Sequence, residues 1–137
     1  MYWRKANHIH GWFVDNVQGG TDDGRTYFVP WDKLRGLLKL CKKVTKASKL
    51  VDGMVYAGTV YTKEHPTGVV RRTPGKVIED ATVAKELLPT RSGFFFGSEE
   101  YDEQYLDEVE RTRDWAERML ADSNAGVPGD IYYSSSW

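Results

Sequence analysis

The sequence predicts one α+β domain in which three main helices form the core and a small antiparallel β-meander is inserted between them. Apolar residues recur at steps of three and four in three segments, which is the pattern of amphipathic helices. Between Met54 and Glu79 the pattern changes to β-branched and aromatic residues interrupted by turns rich in Pro and Gly. A chain of 137 residues, with 40% hydrophobic and 28% charged residues, has the size and composition of a single domain.

The first helix is predicted over residues 3–17. One face carries side chains at helical spacing: Trp3, Ala6, His10, Phe13 and Val17. Gly11 weakens the pattern, and the glycine-rich segment after Gln18 ends it. A short β-prone run, Tyr27-Phe28-Val29, follows.

The second helix is predicted to start at Pro30, because the missing N–H of proline has no helical partner in a first turn. Its buried stripe is Leu34, Leu37, Leu38, Cys41 and Val44. Its other face is basic: Lys33, Arg35, Lys39, Lys42, Lys43 and Lys46. The basic face is interpreted as solvated, with cations favoured near the helix C-terminus, and contact with nucleic acid is the alternative. A lone Cys41 on the buried stripe fits a reducing compartment.

The inserted meander is predicted to have strands near residues 54–63, 68–72 and 76–79. Its turns are His65-Pro66-Thr67-Gly68 and Thr73-Pro74-Gly75, where Pro fixes φ and Gly permits positive φ. Short strands need a covering layer, so one face should lie on the helices or on another subunit. Residues 81–88 then form a short helical turn that Pro89 ends.

The three consecutive phenylalanines at 94–96 predict a buried extended segment between Gly93 and Gly97. Ser98 is expected to cap a third helix that has Glu99, Glu100 and Asp102 in its first turn. The buried side of this helix is Tyr101, Tyr105, Val109, Thr112, Ala116 and Met119. We divide the chain into a domain over 1–124, which includes the inserted meander at 48–80, and a C-terminal tail over 125–137.

Composition limits the possible partners and the location. The net charge of −1 gives no overall attraction to nucleic acid or to an anionic membrane, so neither is expected as a partner. The N-terminus has no apolar block long enough for a signal peptide or a membrane span. We therefore expect a cytoplasmic protein.

No sequence motif indicates a cofactor or a catalytic nucleophile. His8 and His10 form an H-x-H pair, but on a helix they point about 200° apart and cannot share one metal ion. We expect His10 on the packed face and His8 exposed. The alternative is a small metal-dependent hydrolase or nuclease that uses His10 with Asp15, Asp22 or Asp23.

Two segments carry a resemblance to a known family. They are YWRKANHIHGWFVDNVQGGTDDG at 2–24 and LLPTRSGFFFGSEEYDEQYL at 87–106. Their motifs, W-R-K-A-N-x-I-H-x-W and S-G-F-F-F-G-S-x-x-Y, resemble those of a family of small proteins encoded by tailed phages and prophages. The resemblance implies no activity, since the family has no established one, and it implies an infected bacterial cell as the location. The meander looks like an insertion relative to the family.

The motif residues that a hydrophobic core does not require are the predicted ligand-binding site: Arg4, Lys5, Asn7, His10, Trp12, Arg91, Ser92, Tyr101 and Tyr105. We expect the side chains of Arg4, Lys5, Asn7 and His10 to converge with those of Ser92, Tyr101 and Tyr105 beside the FFFG segment, because buried polar groups need partners. Two interpretations stay open. Arg4 and Lys5 without a carboxylate nearby would attract an anion, whereas the same cations paired with Glu99, Glu100 or Asp102 would make a closed structural network.

The leading hypothesis is a non-enzymatic phage accessory protein for host takeover or counter-defence. Its target would be host-derived, either a small anionic, nucleotide-like signal molecule or a host protein. We also expect a homodimer, because the aromatic tail and the inserted meander both offer a surface for self-contact. The alternatives are the metal-dependent hydrolase or nuclease and a structural or assembly protein of the virion.

Overall fold

The computed structural model describes residues 6–17, 26–91, 100–126 and 128–133. These residues form four helices and two separate two-stranded antiparallel sheets, so the α+β class is correct. In chain order the elements are α1 (Asn7–Asn16), β1 (Tyr27–Val29), α2 (Trp31–Ala47), β2 (Leu50–Val60), β3 (Val69–Ile78), α3 (Thr82–Leu87), α4 (Glu103–Asn124) and β4 (Ile131–Tyr133). No helix in these ranges is long and apolar enough to cross a membrane.

Helix α1 lies at the centre of the domain. All residues from Asn7 to Val14 are buried, so the helix is covered on every side rather than on one face. A helix in this position normally carries apolar side chains all round. Here it carries Asn7, His8 and His10 into the interior, where their polar atoms need partners.

The amphipathic stripe of α2 packs against α4. Leu34, Leu37, Cys41 and Val44 are fully buried and Leu38 is partly buried, as the spacing predicted. Pro30 lies one position earlier than expected, because it is the extended residue directly before the helix. Packing of α2 on α4 leaves the basic side of α2 facing solvent.

The core includes residues outside the three long helices. Val29 of β1, Ile78 of β3 and Tyr133 of β4 are buried with Ala84 and Leu88 at α3. The short strands β1 and β4 pair antiparallel, with Tyr27 opposite Tyr133. This pairing docks residues 131–133 of the tail on the same chain, and a core of three helices alone is therefore only part of the structure.

The inserted segment is a two-stranded hairpin, so the prediction of three strands was wrong. Strands β2 and β3 pair from Leu50 opposite Ile78 to Val60 opposite Val69, with a bulge between Tyr56 and Gly58. The expected turn at Thr73-Pro74-Gly75 lies inside β3. Proline is tolerated in an edge strand, which is why this sequence does not break the ladder. Gly75 is needed there, because a Cβ atom would lie 2.8 Å from a methyl carbon of Val55.

Helix α4 starts at Glu103, later than predicted. Residues 101 and 102 are not in a first turn, because they pair with β3: the N–H of Ile78 donates to the carbonyl of Tyr101, and Asp102 bridges to Val77. The carboxylate of Asp102 then accepts from the N–H of Tyr105 at 3.0 Å and caps the helix. The predicted cap Ser98 and the segment Phe94–Gly97 lie outside the described residues.

Candidate functional site

Three side chains hold the backbone that follows α3. The phenol of Tyr105 donates to the carbonyl of Leu88 at 2.7 Å, and the oxygen of Tyr101 accepts from the N–H of Thr90 at 3.1 Å. The side-chain oxygen of Asn7 accepts from the N–H of Arg91 at 3.1 Å. Pro89 ends α3 here, so these backbone groups have no helical partners and take side chains instead. Helices α1 and α4 thereby fix the same four-residue segment.

His8 lies beside this segment and faces α4. Its ring lies 4.2 Å from that of Tyr105, and its Nε2 lies 3.6 Å from Oε2 of Glu108. Burial lowers the pKa of His8 to about 3 and raises the pKa of Glu108 to about 7. Both directions follow from the cost of placing a charge away from water. At neutral pH His8 is therefore uncharged, and Glu108 is close to half-protonated.

Arg91 crosses α1 at Gly11 and reaches the carboxylate of Asp15. Both terminal nitrogens of the guanidinium donate to the two carboxylate oxygens, and this contact holds the pKa of Asp15 below its usual range. A Cβ atom at position 11 would lie 2.5 Å from Nε of Arg91, so the crossing requires glycine. The charge of Arg91 is thus neutralised within the chain.

A cavity of about 280 Å³ opens beside this ion pair. Its walls include His8, Trp12, Asp15, Leu40, Pro89 and Arg91. The volume is at the lower limit for small-molecule sites. A larger groove of about 750 Å³ lies between the hairpin and the start of α4, and none of the six predicted site residues that the structure describes lines it.

The predicted site residues lie in two places. Asn7, Arg91, Tyr101 and Tyr105 come together around residues 88–91, and Trp12 lines the adjoining cavity. The expected convergence does not include His10, which is buried against β4, where its Nδ1 hydrogen-bonds with the hydroxyl of Tyr133 at 2.5 Å. The remaining three, Arg4, Lys5 and Ser92, lie outside the described residues.

Sequence reasoning missed two members of this cluster. His8 was expected to be exposed but is 3% exposed, because α4 covers the side of α1 that it occupies. Glu108 was not singled out, although it lies three residues after Tyr105 and four before Thr112 on the buried side of α4. This helical spacing was the sequence signal that could have identified Glu108 as buried.

The described residues do not bring a metal-binding group together. His8 faces Glu108 and His10 faces Tyr133, and no cluster of three His, Cys, Asp or Glu side chains in the described ranges could hold an ion. Of the acids considered for the hydrolase alternative, Asp15 is paired with Arg91, while Asp22 and Asp23 lie outside the described residues.

The contacts in this cluster run mainly between groups of the same chain. Phenols and the amide bind backbone groups, Arg91 binds Asp15, and His8 faces Glu108. Arg91 is thus in a closed contact, while Arg4 and Lys5, on which the choice between an anion site and a structural network depends, lie outside the described residues. Comparisons with protein-family models, with curated proteins and with solved structures found no match.

Proposed function

We propose that the protein is a non-catalytic phage accessory protein that binds an acidic surface of a host protein through the exposed side of α2. The observation that carries this proposal is a basic ridge on α2, defined as Arg35, Lys39, Lys42, Lys43 and Lys46. At 100° per residue these five side chains fall within an arc of about 100°. All five are exposed.

The ridge has few internal partners. Lys42 lies 3.1 Å from the carboxylate of Glu117, and the other four make no ion pair within the described part of the chain. Cations four residues apart on one helix destabilise it by about 0.2–0.5 kcal/mol per pair. Attraction of Lys43 and Lys46 to the helix C-terminus offsets part of this, but Arg35 and Lys39 lie too far from that end. Helix stability therefore does not account for the ridge.

The ridge also has the shape of a contact surface. Arg35, Lys39, Lys42 and Lys43 surround a shallow depression of about 350 Å³ with Leu38 as its apolar floor. Several cations around an apolar patch suit a protein surface that offers carboxylates together with apolar side chains.

A host protein is favoured over the other targets by charge. The long helix next to the ridge has more acids than bases among its exposed residues: Glu103, Asp107, Asp114, Glu117 and Asp122 against Arg111 and Arg118. These carboxylates would repel the phosphates of a nucleic acid long enough to extend past the ridge. A small acidic patch on a protein can contact the ridge without reaching them. A nucleotide-like signal molecule is disfavoured because the cation at the small cavity, Arg91, is already bound to Asp15.

The test compares two triple variants with the same change of charge. One removes ridge cations (Arg35→Glu, Lys39→Glu, Lys43→Glu), and the control reverses three exposed cations elsewhere (Lys63→Glu, Arg71→Glu, Arg118→Glu). Each protein is immobilised and exposed to a nuclease-treated bacterial lysate at physiological salt, and bound proteins are quantified by mass spectrometry. Proteins held by the wild type and the control should fall at least tenfold on the ridge variant.

Three results would count against the proposal. Equal retention by the two variants would remove the ridge from binding. Binding that appears only in a parallel lysate left without nuclease would indicate nucleic acid, and nucleotide recovered from the purified protein would indicate a signal molecule.

A further inference from the structure

The β2–β3 hairpin differs at its two outer edges. The outer edge of β3 is closed at its C-terminal end by Tyr101 and Asp102, and Arg71, Arg72, Pro74 and Lys76 occupy the rest of the strand. Lysine, arginine and proline are the residues that prevent another strand from pairing with an edge. Strand β3 is therefore protected against addition of a further strand.

Among the described residues, the outer edge of β2 is open. Ten of its eleven residues pair with β3 on one side, with a bulge at Ala57, and no described strand pairs with the other side. Asp52 is its only charged residue, and Lys76 across the hairpin neutralises it. At about 3.3 Å per residue the open edge extends for about 36 Å. An edge this long and this uncharged is the type that pairs with another strand.

The side chains of β2 are also unusually exposed for apolar residues. Met54, Tyr56 and Val60 are between 39% and 50% exposed. A two-stranded hairpin is marginally stable alone, and only its base, around Ile78, enters the core. Four strands would stabilise the hairpin far better than two.

From these observations we propose that β2 pairs antiparallel with β2 of a second copy, which joins the two hairpins into a four-stranded sheet. A second copy fits because the open edge is self-complementary. A two-fold axis through its uncharged part, between Gly53 and Val60, keeps the two Asp52 carboxylates apart and brings neutral side chains together.

The asymmetry of the edges also sets the size of the assembly. Within the described residues, each β2–β3 hairpin has one open and one protected edge, so pairing uses both open edges and leaves the two hairpins with protected edges only. A contact of this kind closes on itself as a two-fold dimer and does not propagate into a fibre. This inference is independent of the basic ridge on α2, which lies on a different element.

Two double variants with matched exposure test the proposal. Met54→Lys with Val60→Lys places two lysines on the open strand, at positions 50% and 39% exposed. The control, Val70→Lys with Val69→Lys, places two on the protected strand, at positions 55% and 41% exposed. Molar mass is measured by sedimentation equilibrium from 1 to 100 μM, and circular dichroism checks that each variant is folded.

The wild type and the control should have the mass of a dimer, and the β2 variant should dissociate with a Kd at least tenfold higher. Hydrogen exchange should also show β2 amides protected in the wild type at high concentration and less so in the β2 variant. A wild type that is monomeric at 100 μM would overturn the proposal, because the β2 edge would then not pair with a second copy. Equal dissociation of both variants would also overturn it, since the contact would then not depend on the β2 edge.

Discussion

Helix α1 and the β2–β3 hairpin distribute their side chains in opposite ways. In α1, Asn7, His8 and His10 are buried at the centre of the domain, whereas in the hairpin Met54 and Tyr56 face solvent. Soluble proteins usually place polar groups outside and large apolar groups inside. Each exception therefore needs a specific reason.

The two reasons differ in kind. Two of the polar side chains of α1 are hydrogen-bonded inside the molecule, Asn7 to the backbone of Arg91 and Nδ1 of His10 to Tyr133, whereas Nε2 of His8 makes no hydrogen bond and lies 3.6 Å from the Glu108 carboxylate. The apolar groups of the hairpin have little cover from the rest of the described chain. The buried polar residues therefore contribute to the fold, and the exposed apolar residues are the basis of the proposed contact with a second copy. The following predictions test this difference, from the largest effect to the smallest.

The largest difference should come from removing one aromatic ring from each region. Phe13 of α1 is fully buried and stacks on Tyr133 with ring centres 3.9 Å apart. Phe13→Ala should lower the free energy of unfolding by about 3–5 kcal/mol, because it leaves a cavity between α1 and β4. Tyr61→Ala at the exposed end of β2 should change it by less than about 0.5 kcal/mol. Urea denaturation of both variants measures this, and similar losses would remove the distinction between the regions.

The parts of the fold that sequence predicted are those determined within one element. The stripe of α2 from Leu34 to Val44 was correct because a one-sided amphipathic pattern specifies which face is buried. Burial of His8 could not be predicted, since it depends on Tyr105 and Glu108, about a hundred residues away in sequence. The sequence predicted a turn inside β3 because Pro74-Gly75 has the composition of a turn. Only the pairing of these residues with Gly53 and Met54 identifies them as part of a strand.

The candidate site was predictable to a similar extent. Motif residues Asn7, Tyr101 and Tyr105 do gather around one segment, since buried polar groups must find partners. Their partners are mostly backbone groups of residues 88–91, whose positions depend on where α3 ends. The sequence could therefore indicate that these side chains are needed but not whether they hold a ligand or the chain itself.

The pH dependence of stability tests the buried His8–Glu108 pair. From about pH 4.5 to 6.5, His8 is neutral when folded and charged when unfolded, so its contribution to stability rises with pH. Over the same interval Glu108 stays protonated when folded and ionises when unfolded, so its contribution falls. The two slopes oppose each other, and the pair should contribute little net pH dependence in the wild type.

Glu108→Gln removes the contribution of Glu108 to stability, which falls with pH, and leaves the contribution of His8, which rises with pH. The free energy of unfolding of this variant, relative to wild type, should rise by about 1 kcal/mol per pH unit across the interval, or about 2 kcal/mol in total. Urea midpoints at half-unit steps of pH measure the slope. Glu64→Gln, in the exposed loop of the hairpin, is the control and should stay parallel to wild type. A parallel profile for Glu108→Gln would mean that the pair does not titrate as its burial implies.

The smallest effect concerns two glycines in helices and should differ in sign between them. Glycine in a helix is about 0.8–1.0 kcal/mol less favourable than alanine. At Gly36 of α2 an added Cβ would have no neighbour within 4 Å, so Gly36→Ala should raise the free energy of unfolding by up to about 1 kcal/mol. At Gly11 of α1 the Cβ would displace the Arg91 side chain, so Gly11→Ala should lower it by about 1 kcal/mol despite the gain in propensity.

A third variant identifies Arg91 as the cause of that loss. With Arg91→Ala in place, the guanidinium no longer crosses α1, and adding Gly11→Ala should then stabilise the protein by the ordinary propensity of alanine. The two substitutions are in contact, so their effects should not add. Thermal and urea denaturation of the two single variants and the double variant give the coupling free energy. If Gly11→Ala lowers the free energy of unfolding equally with and without the arginine, the contact between position 11 and Arg91 is not the cause of the loss. The close packing of Arg91 on α1 would then contribute little to stability.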